Sequence, residues 1–75
     1  MLAYILVQTQ SAEERSLVNN LSDNMNVVDI NVVFGEWDVV VLVEMKNPQT
    51  VGQFVIDNIR SEPNVVLTST LIVAQ

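Results

Sequence analysis

The spacing of apolar and polar residues changes repeatedly along the chain, and each spacing predicts an element. From Leu2 to Thr9 nearly every position is apolar on both alternating faces, the pattern of a central strand covered on both sides. Ser11-Ala12-Glu13-Glu14 reads as a capping box, in which the Ser11 hydroxyl accepts from an orphan amide and Glu14 reaches back to the cap. The helix it predicts carries Leu17, Val18, Leu21 and Met25 at helical spacing, with Asn19, Asn20, Ser22 and Asp23 on or near the other side. From Asn26 to Phe34 the period falls to two: Val28, Ile30, Val32 and Phe34 alternate with Val27, Asp29, Asn31 and Val33. Gly35-Glu36 predicts a tight turn. A second strand then runs from Trp37 to Lys46, with Trp37, Val39, Val41, Val43 and Met45 alternating with Asp38, Val40, Leu42, Glu44 and Lys46.

Asn47-Pro48 predicts a second helix start, because Asn caps well and Pro at the first helical position loses no hydrogen bond it would have made. Val51, Phe54, Val55 and Ile59 form its apolar stripe. Gly52 inside it costs about 1 kcal/mol against Ala and reads either as a mark of close helix packing or as a tolerated surface glycine. Asp57 and Arg60 are spaced for a surface ion pair. Pro63 ends the helix near Ser61-Glu62, and Val65 to Ala74 returns as a strand rich in β-branched residues. The order βαββαβ predicts an α+β, ferredoxin-like domain over residues 1–75, with two helices on one face of a four-stranded antiparallel sheet.

That architecture leaves one sheet face uncovered. With Val28, Ile30, Val32 and Phe34 toward the helices, the open side carries Asp29, Asn31 and Val33, joined by Asp38, Val40, Leu42 and Glu44. The last strand places Thr68, Thr70 and Ile72 on one side and Leu67, Ser69, Leu71 and Val73 on the other. Such a face is too apolar for water and too polar for a closed core. Packing against the same face of a second subunit, through Asn31, Val33, Val40 and Leu42, would cover its centre and leave charged rims.

Composition narrows the classes. The chain is 49% hydrophobic with two Gly and two Pro, a globular composition rather than a disordered one. At 75 residues it buries only about 60% of its unfolded surface on folding, so self-association would widen a thin stability margin. The apolar start lacks the basic region and cleavage site of a signal peptide, and no apolar run approaches the ~20 residues of a membrane helix, so a soluble protein is expected. The absence of Cys fits a cytoplasmic setting. Three Lys+Arg against nine Asp+Glu give a net charge of −6, which repels phosphate backbones and argues against direct nucleic-acid binding.

Chemistry is sparse. Without His or Cys and with a single Tyr, little is left for nucleophilic or general-base catalysis, and no cofactor or metal is called for. Asp38 with Glu36, or Glu44 with Asp29, read as solvated charges, since no Ca²⁺-loop spacing is present. Gly35-Glu36-Trp37-Asp38 is the most informative stretch, with a glycine, an aromatic and an acid at one end of the sheet. Trp37 can be core, a pocket wall or an interface anchor. Thr68-Ser69-Thr70 offers hydroxyls that could edge the same region, though Thr is also a common strand filler.

Taken together, the opening Ala-Tyr-Ile-Leu-Val strand, the Val-Val-Asp-Ile-Asn-Val-Val-Phe-Gly-Glu-Trp-Asp-Val-Val-Val pair, the Phe54 to Pro63 helix end and the closing Val65 to Val73 strand resemble the effector-binding (RAM) domain of the Lrp/AsnC transcriptional regulators. Gly35 and Asp38 match the family's Gly-x-x-Asp, Trp37 stands where an aromatic is usual, and Thr68-Ser69-Thr70 fits its Thr-x-Thr. Asn64 replaces the glycine usual after the Pro. The resemblance implies a sheet-to-sheet homodimer, often assembled into tetramers or octamers, with small effectors such as amino acids bound where dimers meet. It implies Gly35, Glu36, Trp37, Asp38, Thr68, Ser69 and Thr70 as the ligand-binding set. Such regulators carry an N-terminal helix-turn-helix, whereas this sequence starts at the first strand. The expectation is a stand-alone form that senses a ligand, assembles with itself or joins full-length regulators. The rivals are a small dimeric α+β-barrel enzyme such as a monooxygenase, which shares the strand order, and a purely structural oligomerisation module.

Overall fold

The computed structural model describes residues 1–75 as β1 (Leu2–Thr9), α1 (Glu14–Leu21), β2 (Val27–Val32), β3 (Val39–Glu44), α2 (Pro48–Phe54), a π-helical continuation over Val55–Ile59, and β4 (Val65–Ile72). The strands form one antiparallel sheet in the order β2-β3-β1-β4. This is the predicted βαββαβ architecture. β1 is central, with Val7 opposite Val39 on one edge and Thr68 on the other.

Alternation divides the sheet into two faces. Ala3, Ile5, Val7, Val39, Val41 and Val43 are wholly buried and pack with Leu17 and Leu21 of α1 and with Val51, Phe54, Val55 and Ile59. On the other face Tyr4, Leu67 and Leu71 stay 42, 54 and 51% exposed, and Leu6, Val40 and Leu42 are half-buried. The helices cover one side and leave the other open.

Several local expectations change. Ser11 does not cap α1: the chain turns first, with the Glu13 amide donating to the Gln10 carbonyl at 3.1 Å and Ala12 in the left-handed region at φ 65°. Glu13 takes the cap position with no side-chain hydrogen bond. The helix ends at Leu21, one turn short of Met25, which is therefore exposed. In β2 the register slips between Val27 and Asp29, so Val27 faces the helices opposite Val43 while Val28 is exposed. Only Ile30 and Val32 keep the expected side, and Val32, at the sheet edge, is still 55% exposed.

The hairpin is looser than a tight turn. β2 stops at Val32 and β3 starts at Val39, with the loop closed by the Val33 amide donating to the Asp38 carbonyl at 2.9 Å. Phe34 thus leaves the core face and stands fully in solvent. Gly35 adopts φ 131°, a conformation other residues rarely take.

α2 starts as expected: the Asn47 side chain accepts from the Thr50 amide at 2.9 Å, and the Thr50 hydroxyl accepts from the Asn47 amide at 3.3 Å. Its continuation winds more widely, with the Arg60 amide donating to the Val55 carbonyl at 2.8 Å. The spacing that would pair Asp57 with Arg60 is lost, and Asp57 Oδ1 accepts instead from Gln53 Nε2 at 2.8 Å. The one ion pair in the structure joins the Met1 ammonium to Glu44. β4 ends at Ile72, short of Ala74, and Asn64 takes no left-handed conformation in place of the family's glycine.

Gly52 is exposed, and a methyl group added there would meet nothing within 4 Å. Gly52→Ala is therefore expected to stabilise the fold by about 1 kcal/mol through helix propensity alone. Urea unfolding at fixed protein concentration checks this; a loss of stability would reveal packing against this face.

Candidate functional site

The Gly35–Asp38 loop is anchored by its last residue. Asp38 Oδ2 accepts from the Thr9 amide at 2.8 Å, while the Asp38 amide donates to the Val7 carbonyl at 2.9 Å. The loop is thus tied to the end of β1 in both directions. Gln8 Nε2 adds a bond to the Glu36 carbonyl at 3.3 Å. Trp37 and Asp38 are half-buried, and Gly35 and Glu36 are exposed.

Gln8 and Thr9 were not among the predicted site residues, although they are the polar break at the end of an otherwise apolar strand. The Thr9 hydroxyl oxygen is buried without a hydrogen-bond partner beside this clamp. Such an orphan costs roughly 1–3 kcal/mol, so the end of β1 carries a polar group that the fold does not satisfy.

Thr68, Ser69 and Thr70 pair with Val7, Leu6 and Ile5, on the opposite edge of β1 from the loop. Thr68 lies level with Val39 but two strands away, roughly 10 Å across the sheet. Thr68 and Thr70 share the helix side of the sheet, and Ser69 points to the open side with Leu6. One chain therefore does not gather the predicted ligand-binding residues into a single pocket. Of the expected dimer contacts, Asn31 lies opposite Val40 on the open face, Leu42 follows on that face, and Val33 lies just beyond β2.

Two concavities exist elsewhere. An open cleft of about 730 Å³ lies at the other end of the sheet, where Asn26, Glu44, Lys46, Thr50, Gln53 and Asp57 are among its walls. A smaller one of about 260 Å³ is formed by Ala12, Glu14, Arg15, Val18 and Val32. Neither contains a residue of the Gly35–Asp38 loop or of Thr68–Thr70. No three acidic side chains converge to hold a metal ion.

The clamp predicts opposite outcomes for two substitutions. Asp38→Ala strands the Thr9 amide and is expected to cost about 1.5–3 kcal/mol of stability. Asp38→Asn keeps an accepting oxygen and should lie within about 1 kcal/mol of the parent. Chemical denaturation of both variants checks this; equal stabilities would mean the bond to Thr9 contributes nothing.

Residues 2–75 match the family described as the Lrp/AsnC ligand binding domain. The HTH-type transcriptional regulator FL11 of Pyrococcus horikoshii is 34% identical over 73 residues, covering 97% of this chain and 48% of that protein. The chain thus spans about half the length of the curated relatives it matches. The crystal structure of FFRP-DM1 is 35% identical, with TM-score 0.89 and 96% of each chain covered. A Neisseria meningitidis transcriptional regulator, solved as a complex with L-Met, shares the fold at 18% identity and TM-score 0.88, covering 99% of this chain and 49% of its own.

Proposed function

This chain belongs to the Lrp/AsnC ligand-binding domain family, and on that premise we propose that it is an effector-sensing and oligomerisation module. It serves transcriptional regulation without being an enzyme and without contacting DNA through its own surface. The observation that carries this reading is the pairing of an uncovered apolar sheet face with a rigidly anchored Gly-x-x-Asp loop at one end of it. The net charge of −6 supports the separation from DNA, because contact with a phosphate backbone would be repulsive. Partners of opposite role, full-length regulators of the same family, would then supply the DNA contact. No helix is long and apolar enough to cross a membrane, which is compatible with the cytoplasmic setting such a role needs.

The open face supports a homodimer. Tyr4, Leu6, Val40, Leu42, Leu67 and Leu71 present a contiguous apolar surface across the inner strands and β4, with Asp29 and Glu44 at its margins. Facing copies would bury the centre and leave the acids at the rim. Leu42→Asp would set an unpaired charge in that contact and is expected to break it and lower the mass in solution. Sedimentation checks this, and an unchanged mass would exclude the face as the interface.

The ligand reading is an amino acid held beside the Gly35 loop where dimers meet. Asp38 has one carboxylate oxygen beyond the Thr9 bond to accept from an ammonium group. The exposed Gly35-Glu36 backbone and the Thr68 or Thr70 hydroxyls offer donors for a carboxylate, the hydroxyls contributed by a neighbouring copy, since β1 separates them from the loop within one chain. Trp37 would form the apolar wall. The L-Met complex of the Neisseria regulator supports the ligand class.

A thermal-shift screen of amino acids tests the reading, because a ligand at 100 times its Kd adds about 2.7 kcal/mol. Asp38→Asn should weaken the hit by roughly 1.5–3 kcal/mol while the fold persists. Equal affinity for parent and variant would remove Asp38 from the site.

A further inference from the structure

The open cleft of about 730 Å³ lies at the end of the sheet away from the Gly35 loop and takes no part in the effector reading. One of its walls is a single face of α2 and its continuation, where Thr50, Gln53 and Asp57 follow one another at helical spacing. Half-buried Met45 and buried Phe54 supply apolar surface, and Asn26, Lys46 and Asn58 add polar groups.

Two opposite charges are left over in this cleft. Glu44 is engaged by the Met1 ammonium at 2.7 Å, whereas neither Lys46 nor Asp57 has an ion-pair partner. The wide winding over Val55–Ile59 is what frees Asp57, which in an ordinary helix would stand beside Arg60. Gln53 Nε2 donates instead to Asp57 Oδ1 at 2.8 Å and leaves Oδ2 without a partner. The carboxylate is thus oriented before any ligand arrives, which lowers the cost of binding one.

We propose that this cleft binds a short peptide with free ends, two or three residues long, its ammonium on Asp57 and its carboxylate on Lys46. Length follows from the spacing of the two charges. Asn47, the neighbour of Lys46, is separated from Asp57 by about 15 Å of helix. The two side chains close part of that distance, and an extended peptide of two or three residues spans roughly 7–11 Å more. A single amino acid carries both charges on one carbon and reaches only one of the two residues. Between the ends, Gln53 Oε1 can accept from a peptide N–H, since its bond to Asp57 uses only Nε2. Asn58 Oδ1 can do the same, because Asn58 spends only Nδ2 on the Phe54 carbonyl at 3.2 Å, and Asn26 Nδ2 can donate to a peptide carbonyl. Lys46 and Asp57 are both exposed, so the complex is a weak one, of about millimolar Kd. This inference goes beyond the effector reading and is independent of it, since no residue of the Gly35–Asp38 loop lines the cleft.

Titration of the isotope-labelled full chain with dialanine and trialanine, followed through its backbone amide resonances, tests it. The amides of Gln53, Asp57 and Asn58 should shift and saturate while those of Gly35 to Asp38 stay in place. L-alanine, and dialanine acetylated at its amine or amidated at its carboxylate, should bind about tenfold more weakly. Asp57→Asn should remove the preference for a free amine and Lys46→Gln the preference for a free carboxylate, each lowering the affinity for dialanine about tenfold, with circular dichroism unchanged. No shift with either peptide, or equal binding of L-alanine and dialanine, overturns the inference. Shifts confined to Gly35–Asp38 would place the peptide at the loop, so that this inference falls and the effector reading stands. Shifts confined to the cleft, in a chain that no amino acid stabilises, would sink the effector reading and support this one.

Discussion

β1 is hydrogen-bonded along both edges and apolar on both faces, yet the chain has helices for only one of those faces. Much of the structure follows from that imbalance. On the covered side, alternate residues of β1 and β3 are excluded from water completely, and their methyl groups fill the space between the sheet and the two helices. On the other side the same strands present Leu6, Val40 and Leu42 half-buried, with no helix over them. A domain of this size has little apolar burial to spare, so leaving half a sheet uncovered is costly unless another surface covers it.

The parts of the fold that were legible in the sequence are those governed by local pattern. The Asn47-Pro48 start was readable because its capping chemistry involves residues three apart, and β1 was readable as a strand from its short continuous apolar run, although its two faces were alike in sequence. What the sequence hid are changes of register. An extra residue at Val28 flips the first part of β2 without altering its composition, and the wider winding after Phe54 separates Asp57 from Arg60 although their spacing suits an ordinary helix. Phe34 carried the right parity for the core and was misplaced because the loop begins one residue before it. Parity assigns a face only while the strand continues.

At the candidate site the Gly35–Asp38 loop stood out, since a glycine, an aromatic and an acid between two strands is a distinctive local grouping. The clamp from Asp38 to Thr9 could not be read, because it joins residues 29 positions apart through a side chain and a backbone amide. Gln8 and Thr9 look like the ordinary polar end of a strand. Nor could the sequence say that β1 lies between the loop and Thr68, which depends on strand order rather than on any local signal.

If the loop holds an effector where copies meet, as proposed, its position couples binding to assembly. Phe34 and Asp38 belong to one loop, and Gly35 between them sets its course. A ligand that engages Asp38 at such a contact would change the affinity of that contact whenever the two events favour different loop positions. By thermodynamic reciprocity, assembly then changes ligand affinity by the same factor. The bonds of Asp38 and Gln8 to the end of β1 limit how far the loop can move, so this coupling would act through small shifts of a braced segment rather than through its ordering. A stiff loop passes on a displacement that a free one would absorb.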